Sequence, residues 1–297
     1  MRSYLTEFLT DPRVIESQTI AWKLLLHTVI LNIRPRRSAQ RYQRIWMDQG
    51  SPLLIHSKKL AQALQDYLGE SYRVVLGMRY GTPSIFDALE QIRQQDLDAL
   101  IVLPLYPQYC AATVASCFDT IANALKTWRR IPPLRFISGY GSYVPYINAL
   151  VEQINKYRTS EYLLFSYHGL PQKICDRGDP YQKQCTRTTE LLAETLQLKP
   201  DHYRQVFQSR FGFKKWLQPY ADRTLIHLAK KGIDRVDLIC PGFTVDCLET
   251  LEEITQNYKK LFLNSGGKQF TYIPALNDQK EQVSMLATLI QSGGSRV

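Results

Sequence analysis

At 297 residues the chain can form one large domain or two lobes with ample core, and 44% hydrophobic with 22% charged residues marks a globular composition. A formal net charge of +10 asks for an acidic partner, whether nucleic acid, an anionic membrane surface or an anionic small molecule. The opening MRSYLTEFLTDPRV carries acids and no apolar core, so it does not read as a signal peptide, and six scattered cysteines without a CxxC pair read as the reduced thiols of a cytoplasm.

Along the chain, the first strong feature is IAWKLLLHTVILNI at 20–33. It is too short to span a bilayer and contains Lys23, His27 and Asn32, so it is expected as an amphipathic helix against the core, a membrane or a greasy ligand. RPRRSAQRYQR follows at 34–44 with five arginines. A solvated helix face and an anionic membrane or ligand site are both open for it, and no nucleic-acid signature accompanies it.

Buried parallel strands are expected at 72–78, 99–105, 134–138, 162–167, 205–209, 236–240 and 270–273, with helical patterns between most of them. That alternation predicts an α/β fold with parallel sheets. The order of landmarks also repeats. VVLGMRYGTPS answers QVFQSRFGFKK, and with Pro104 set on Pro241, Cys110 falls on Cys247 and Thr113 on Thr250. The expectation is two similar Rossmann-like lobes, 1–150 and 151–297, each a parallel sheet flanked by helices, with end segments free to cross between them.

The copies differ in charge. Ala112 and Ser116 of the first are replaced by Glu249 and Glu253 in the second. With Asp246, these acids stand at i, i+3 and i+7, so an α-helix would carry all three on one face. Such a stripe after a strand end points to the crevice at the carboxyl edge of the sheet. His168, in FSYHGLPQ, ends a strand at the same edge. Imidazole with carboxylate suits a first-row divalent metal or general acid–base chemistry; a turn histidine and an exposed acidic helix remain the alternatives. No HExxH, P-loop or GxGxxG is present, which disfavours a zinc protease, an NTPase and a dinucleotide enzyme.

Together, LLFSYHGLPQKICDRGDPYQKQC, ICPGFTVDCLETLEEI, GMRYGTPSI, VLPLYPQY and FQSRFGFKKWLQPY resemble the ferrochelatase family along nearly the whole chain and in the right order. The resemblance implies insertion of Fe²⁺ into protoporphyrin IX to give haem, with release of two protons. It implies His168 and Glu249 as the catalytic and metal-facing pair, and Asp246 and Glu253 as a path for metal or protons. Arg79, Tyr80, Tyr106 and Trp216 are implied as porphyrin-binding, with Arg79 able to pair with a propionate.

The same resemblance implies no cofactor besides the substrate Fe²⁺. Cys175 and Cys185 lie near a region that holds an iron–sulfur cluster in some relatives, but a full four-cysteine set is missing, so no cluster is expected. Cys247 stands where many relatives have a second histidine. The chain also starts inside a helix that relatives precede with an apolar strand, so a weakened first lobe and weaker porphyrin binding are expected. The expected location is the cytoplasm, with peripheral contact to the inner membrane through 20–44, and no nucleic acid as partner. Competing readings are a coproporphyrin or cobalt chelatase of the same fold, and a non-catalytic porphyrin or haem binder.

Overall fold

The computed structural model describes residues 1–292 except Ser17 and Phe213, and the backbone alone of Arg37. In the first half, α1 (Arg2–Thr10) is followed by α2 (Ile20–Leu25), a π-wound turn at Leu26–Ile30, and α3 (Leu31–Gln43). Next come α4 (Pro52–Leu68), α5 (Ile85–Ile92) and β1 (Leu100–Val102), then a π-wound turn at Ala111–Ala115 that runs into α6 (Ser116–Leu125), and β2 (Leu134–Phe136). The second half has α7 (Val144–Tyr157), β3 (Leu163–His168), α8 (Gln172–Asp176), α9 (Tyr181–Thr195), β4 (Tyr203–Gln208) and α10 (Ala221–Lys230). It closes with β5 (Arg235–Ile239), a π-wound segment at Glu249–Tyr258 leading into α11 (Lys259–Asn264), β6 (Gln269–Ile273) and α12 (Lys280–Gln291).

All strand ladders are parallel, as the alternation of elements predicts. The second-half sheet has the order β4-β3-β5-β6. Its inner strands read LLFSYH and RVDLI and are buried almost throughout, because helices cover both faces of such a sheet. Register sets His168 opposite Gln208, at the carboxyl ends of β3 and β4.

The first-half sheet is smaller than expected. Only β1 and β2 pair, and the run 72–78 makes no ladder among the described residues; its one sheet contact is an isolated bridge from Met78 to Ser84. The physical reason is a slot. Residues 71–78 and 99–105 line the same cavity, with Leu60 and Leu64 of α4, Ile85 and Leu89 of α5 and Ile121 of α6 also in its wall. The Gln65 side chain satisfies part of the unpaired backbone, accepting from Val74 N–H and donating to the Tyr72 carbonyl.

The halves share one core. Leu60 and Leu64 of α4 belong to the same apolar cluster as Leu163 and Phe165 of β3 and Leu286 of α12. The terminal helix crosses over, and Arg135 of β2 donates to the carbonyls of Leu289 and Ile290 at 2.8 and 2.6 Å. The sequence boundary near 150 falls inside α7. By contrast, α1 to α3 form a lip with its own small core of Leu5, Leu9, Leu26 and Leu31.

Candidate active site

His168 ends β3 because the ladder to β4 stops there, and three backbone contacts hold the exit. Gly169 N–H donates to the Gln208 carbonyl at 2.7 Å, Tyr181 hydroxyl donates to the His168 carbonyl at 3.0 Å, and Leu217 N–H donates to the Leu170 carbonyl at 2.9 Å. A Cβ at Gly169 would stand 2.6 Å from the Gln208 carbonyl oxygen and 3.2 Å from the Trp216 ring. Glycine is needed there for close approach, not for an unusual φ.

The imidazole Nδ1 lies 2.7 Å from the Gly169 carbonyl. A carbonyl only accepts, so Nδ1 carries a proton and donates it there, and Nε2 is the ring nitrogen left for other partners.

Glu249 opens the π-wound segment, and its carboxylate lines the same cavity as His168. The Cys247 thiol donates to Glu249 Oε2 at 3.1 Å. Gln208, at the end of β4, donates to the Glu249 carbonyl at 3.1 Å and accepts from Ser166 at 2.7 Å. One side chain thus couples the His168 strand end to the backbone of Glu249. Burial and the neighbouring Glu249 charge push the Cys247 thiol well above its ordinary pKa. Tyr4 of the lip is pushed up to about 12, by burial first and the Glu249 charge second.

The expected acidic stripe is corrected by the winding. Asp246 precedes the helix, and from Glu249 onward the turn is wider than an α-turn, so i, i+3 and i+7 no longer share a face. Asp246 is buried in its own network, accepting from Thr250 at 2.9 Å, Tyr272 at 2.6 Å and Asn277 at 2.8 Å. Glu253 accepts from the Ser209 amide at 2.9 Å, the Ser209 hydroxyl at 2.5 Å and the Tyr258 hydroxyl at 3.0 Å. Of the three acids, Glu249 alone lines the cavity.

Of the expected porphyrin contacts, Tyr106, Trp216 and Arg79 line the cavity and Tyr80 does not. The Tyr80 hydroxyl donates to Asp11 at 2.7 Å, with its ring edge-on to Tyr4 and Phe8. Arg79 is already occupied: it pairs with Asp11 and donates to the Ser116 carbonyl at 3.1 Å and hydroxyl at 2.5 Å. Burial would raise the Asp11 pKa, but hydrogen bonds from Ser116, Tyr80 and the Arg13 amide, with the Arg79 charge, hold it below the usual carboxylate value.

Among the cations that line the cavity beside Arg79 is Arg34 of α3, which sits 5.6 Å from the Phe211 ring centroid and has its pKa lowered by burial and by Arg41. Arg34, Tyr4 and Tyr42 were not singled out from the sequence. Only the tertiary fold brings their distant segments over Glu249, although the arginine run itself was visible.

The cavity measures about 2510 Å³. That exceeds the ~300–1,000 Å³ of ordinary small-molecule pockets, because the strand slot opens into it. A large, mostly apolar cleft at the carboxyl edge of a parallel sheet, with the His168 imidazole and Glu249 in its lining, defines an α/β protein of the chelatase class.

Comparisons with known proteins agree. SirB from Bacillus subtilis with Fe3+ superposes at a TM-score of 0.60 with 13% identity, covering 82% of this chain and 91% of that one, which shows the shared fold. A family model described as Ferrochelatase matches residues 1–293. "Ferrochelatase" of Nitrosococcus oceani is 48% identical over 98% of this chain and 81% of its own length. "Ferrochelatase 2" of Shewanella oneidensis is 45% identical over 98% of this chain and 91% of its own. The chain belongs to the ferrochelatase family, lyases that insert iron into a porphyrin in haem biosynthesis.

Proposed function

We propose that this protein inserts Fe²⁺ into protoporphyrin IX, with His168 and Glu249 carrying the metal and proton step. One observation carries the reading: His168, with Nδ1 turned to the Gly169 carbonyl and Nε2 left for substrate, and Glu249 line one cavity. Two pyrrole N–H protons must leave as the metal enters, and no electron transfer is needed. A single lone pair at Nε2 serves one role at a time. When His168 is the base it accepts the two pyrrole protons in turn, passing the first to solvent before the second, while Glu249 balances the metal charge; when His168 binds the metal, Glu249 takes the two protons in turn and passes them on. The four pyrrole nitrogens complete the metal's ligand set, so the chain's two donors hold a substrate in transit and need no resident cofactor.

Tyr106 and Trp216 offer aromatic faces to the macrocycle. Arg34 replaces Arg79 as the proposed propionate partner, because the Arg79 guanidinium is committed to Asp11 and Ser116. Glu253 and its partners Ser209 and Tyr258 are the proposed continuation of a proton route from Glu249. The buried Asp246 network holds the start of the segment.

Ile20, Leu24, Leu25, Val29 and Ile33 of the lip expose their side chains beside Lys23 and Arg36, and no described helix is long and apolar enough to cross a membrane. We place the protein in the cytoplasm with this face against an anionic bilayer, from which an apolar porphyrin can enter.

The test is a spectrophotometric insertion assay with protoporphyrin and coproporphyrin, each with Fe²⁺ and Co²⁺. Faster turnover of protoporphyrin with Fe²⁺ is expected. Preference for coproporphyrin or for cobalt, or binding without turnover, refutes the assignment.

A further inference from the structure

The arginine run of the lip has a partner that the chemistry above does not use. Glu252, on the π-wound segment three residues beyond Glu249, is 2% exposed and does not line the cavity. Its carboxylate accepts from Arg41 Nε at 2.9 Å and Nη2 at 2.5 Å, and from Arg44 Nη1 at 3.4 Å. Burying a carboxylate without a cation is strongly unfavourable, so α3 must stay where its arginines reach Glu252.

The lip has little else to fix it. Its small core of Leu5, Leu9, Leu26 and Leu31 is separate from the body's cores. Its other ties are the polar contacts of Asp11 with Arg79, Arg13 with Asp119, Glu16 with Arg177 and the Gly81 amide with Glu7, and the ring contacts of Tyr80 with Tyr4 and Phe8 and of Phe211 with Arg34. Among the described residues, the Glu252 clasp contains the only ion pairs between the lip and the segment that carries Glu249. The same helix α3 brings Arg34, Ser38, Arg41 and Tyr42 to the cavity wall, whereas Arg44 and Glu252 do not line it.

We propose that Glu252 is a positioning residue for substrate binding: through Arg41 and Arg44 it fixes α3, and with it Arg34 and Tyr42, against the wall that holds Glu249. This rests on the reading of the cavity as a tetrapyrrole site. Glu252 itself touches neither metal nor macrocycle.

The experiment uses Glu252→Gln, Arg41→Ala, Arg41→Lys and Arg44→Ala in the full chain, Arg44→Ala being expected to act in the same direction as Arg41→Ala. Hydrogen–deuterium exchange across 31–43 reads the clasp without any ligand, protoporphyrin IX fluorescence gives Kd, and steady-state kinetics separate KM for each substrate from kcat. Loss of a charge-assisted pair of this kind is worth about ten-fold in an equilibrium constant. Glu252→Gln and Arg41→Ala should therefore raise the protoporphyrin Kd about ten-fold and speed exchange in 31–43, with kcat and the Fe²⁺ KM within about two-fold of wild type. Arg41→Lys should recover most of the affinity.

Unchanged exchange and Kd in folded variants would overturn the proposal. So would a fall in kcat at constant Kd, the signature of a purely structural part in the π-wound segment. If Glu252→Gln does not fold, Arg44→Ala decides, since Arg44 is 58% exposed and, unlike Arg41, does not line the cavity. If the wild type binds no porphyrin, the tetrapyrrole reading fails, and the exchange data still show whether the clasp holds the lip.

Discussion

Gly169→Ala tests the link between packing and chemistry at one atom. The added methyl would stand 2.6 Å from the Gln208 carbonyl oxygen and 3.2 Å from the Trp216 ring. Neither neighbour yields cheaply. The Gln208 carbonyl belongs to a 1% exposed residue on β4 and already accepts the Gly169 amide at 2.7 Å, and the Trp216 indole is anchored to the Phe211 carbonyl at 2.9 Å. Overpacking of this kind costs ~1–3 kcal/mol.

Moving Gln208 also pulls on its 3.1 Å bond to the Glu249 carbonyl, so both His168 and Glu249 shift. Misplacing such a pair by about 1 Å can cost ~100-fold in rate. The expected outcome is a melting temperature lower by a few degrees and at least ~10-fold less iron insertion by the folded fraction, a conservative share of that loss. Gly178→Ala is the control: its φ of +106° makes alanine strained, but nothing lies within 4 Å of the new methyl, so it should lose stability and keep specific activity. Normal activity and an unchanged melting temperature in Gly169→Ala would refute the reasoning.

Three more expectations follow from the same geometry. His168→Ala and Glu249→Gln should each lower metal insertion at least ~100-fold while porphyrin fluorescence titration still shows binding; near-normal turnover in either removes that residue from the chemistry. The Asp11 pKa is lower folded than unfolded, so its stabilisation is present above the unfolded value and lost as pH falls through the folded one; urea melts from pH 6 down to 3 should show an acid loss that Asp11→Asn, already destabilised at neutral pH, lacks. The amides of Leu100–Val102 should exchange faster than those of Leu163–Tyr167, because β1 borders the slot and β3 lies between two strands; equal protection would show the slot to be closed in solution.

Local chemistry was legible in the sequence where one segment contains its own reason. Apolar runs such as LLFSYH declare an inner parallel strand, His168 followed by glycine declares a tight exit, and the repeated order of landmarks matches two π-wound segments, at Ala111–Ala115 and Glu249–Tyr258, after corresponding strands. A shared crevice for His168 and Glu249 was one of the readings that strand ends and chain order left open, and the family resemblance favoured it. Winding was not legible. Spacing of carboxylates assumes an α-turn, and the π-winding that separates Glu249 from Asp246 and Glu253 is set by packing of the whole segment.

Pairing was equally invisible. Arg79 is an available cation in the sequence, yet Asp11, 68 residues away, claims it. Glu252 was not singled out from the sequence, yet Arg41, 211 residues away, makes it a buried clasp. A charged side chain's partner is decided by which surfaces the fold brings together, because desolvation makes an unpaired charge costly only after burial is known. For the same reason 72–78, a strand by pattern, stays unpaired: a strand's pattern lies in its own residues, but its ladder needs a neighbour.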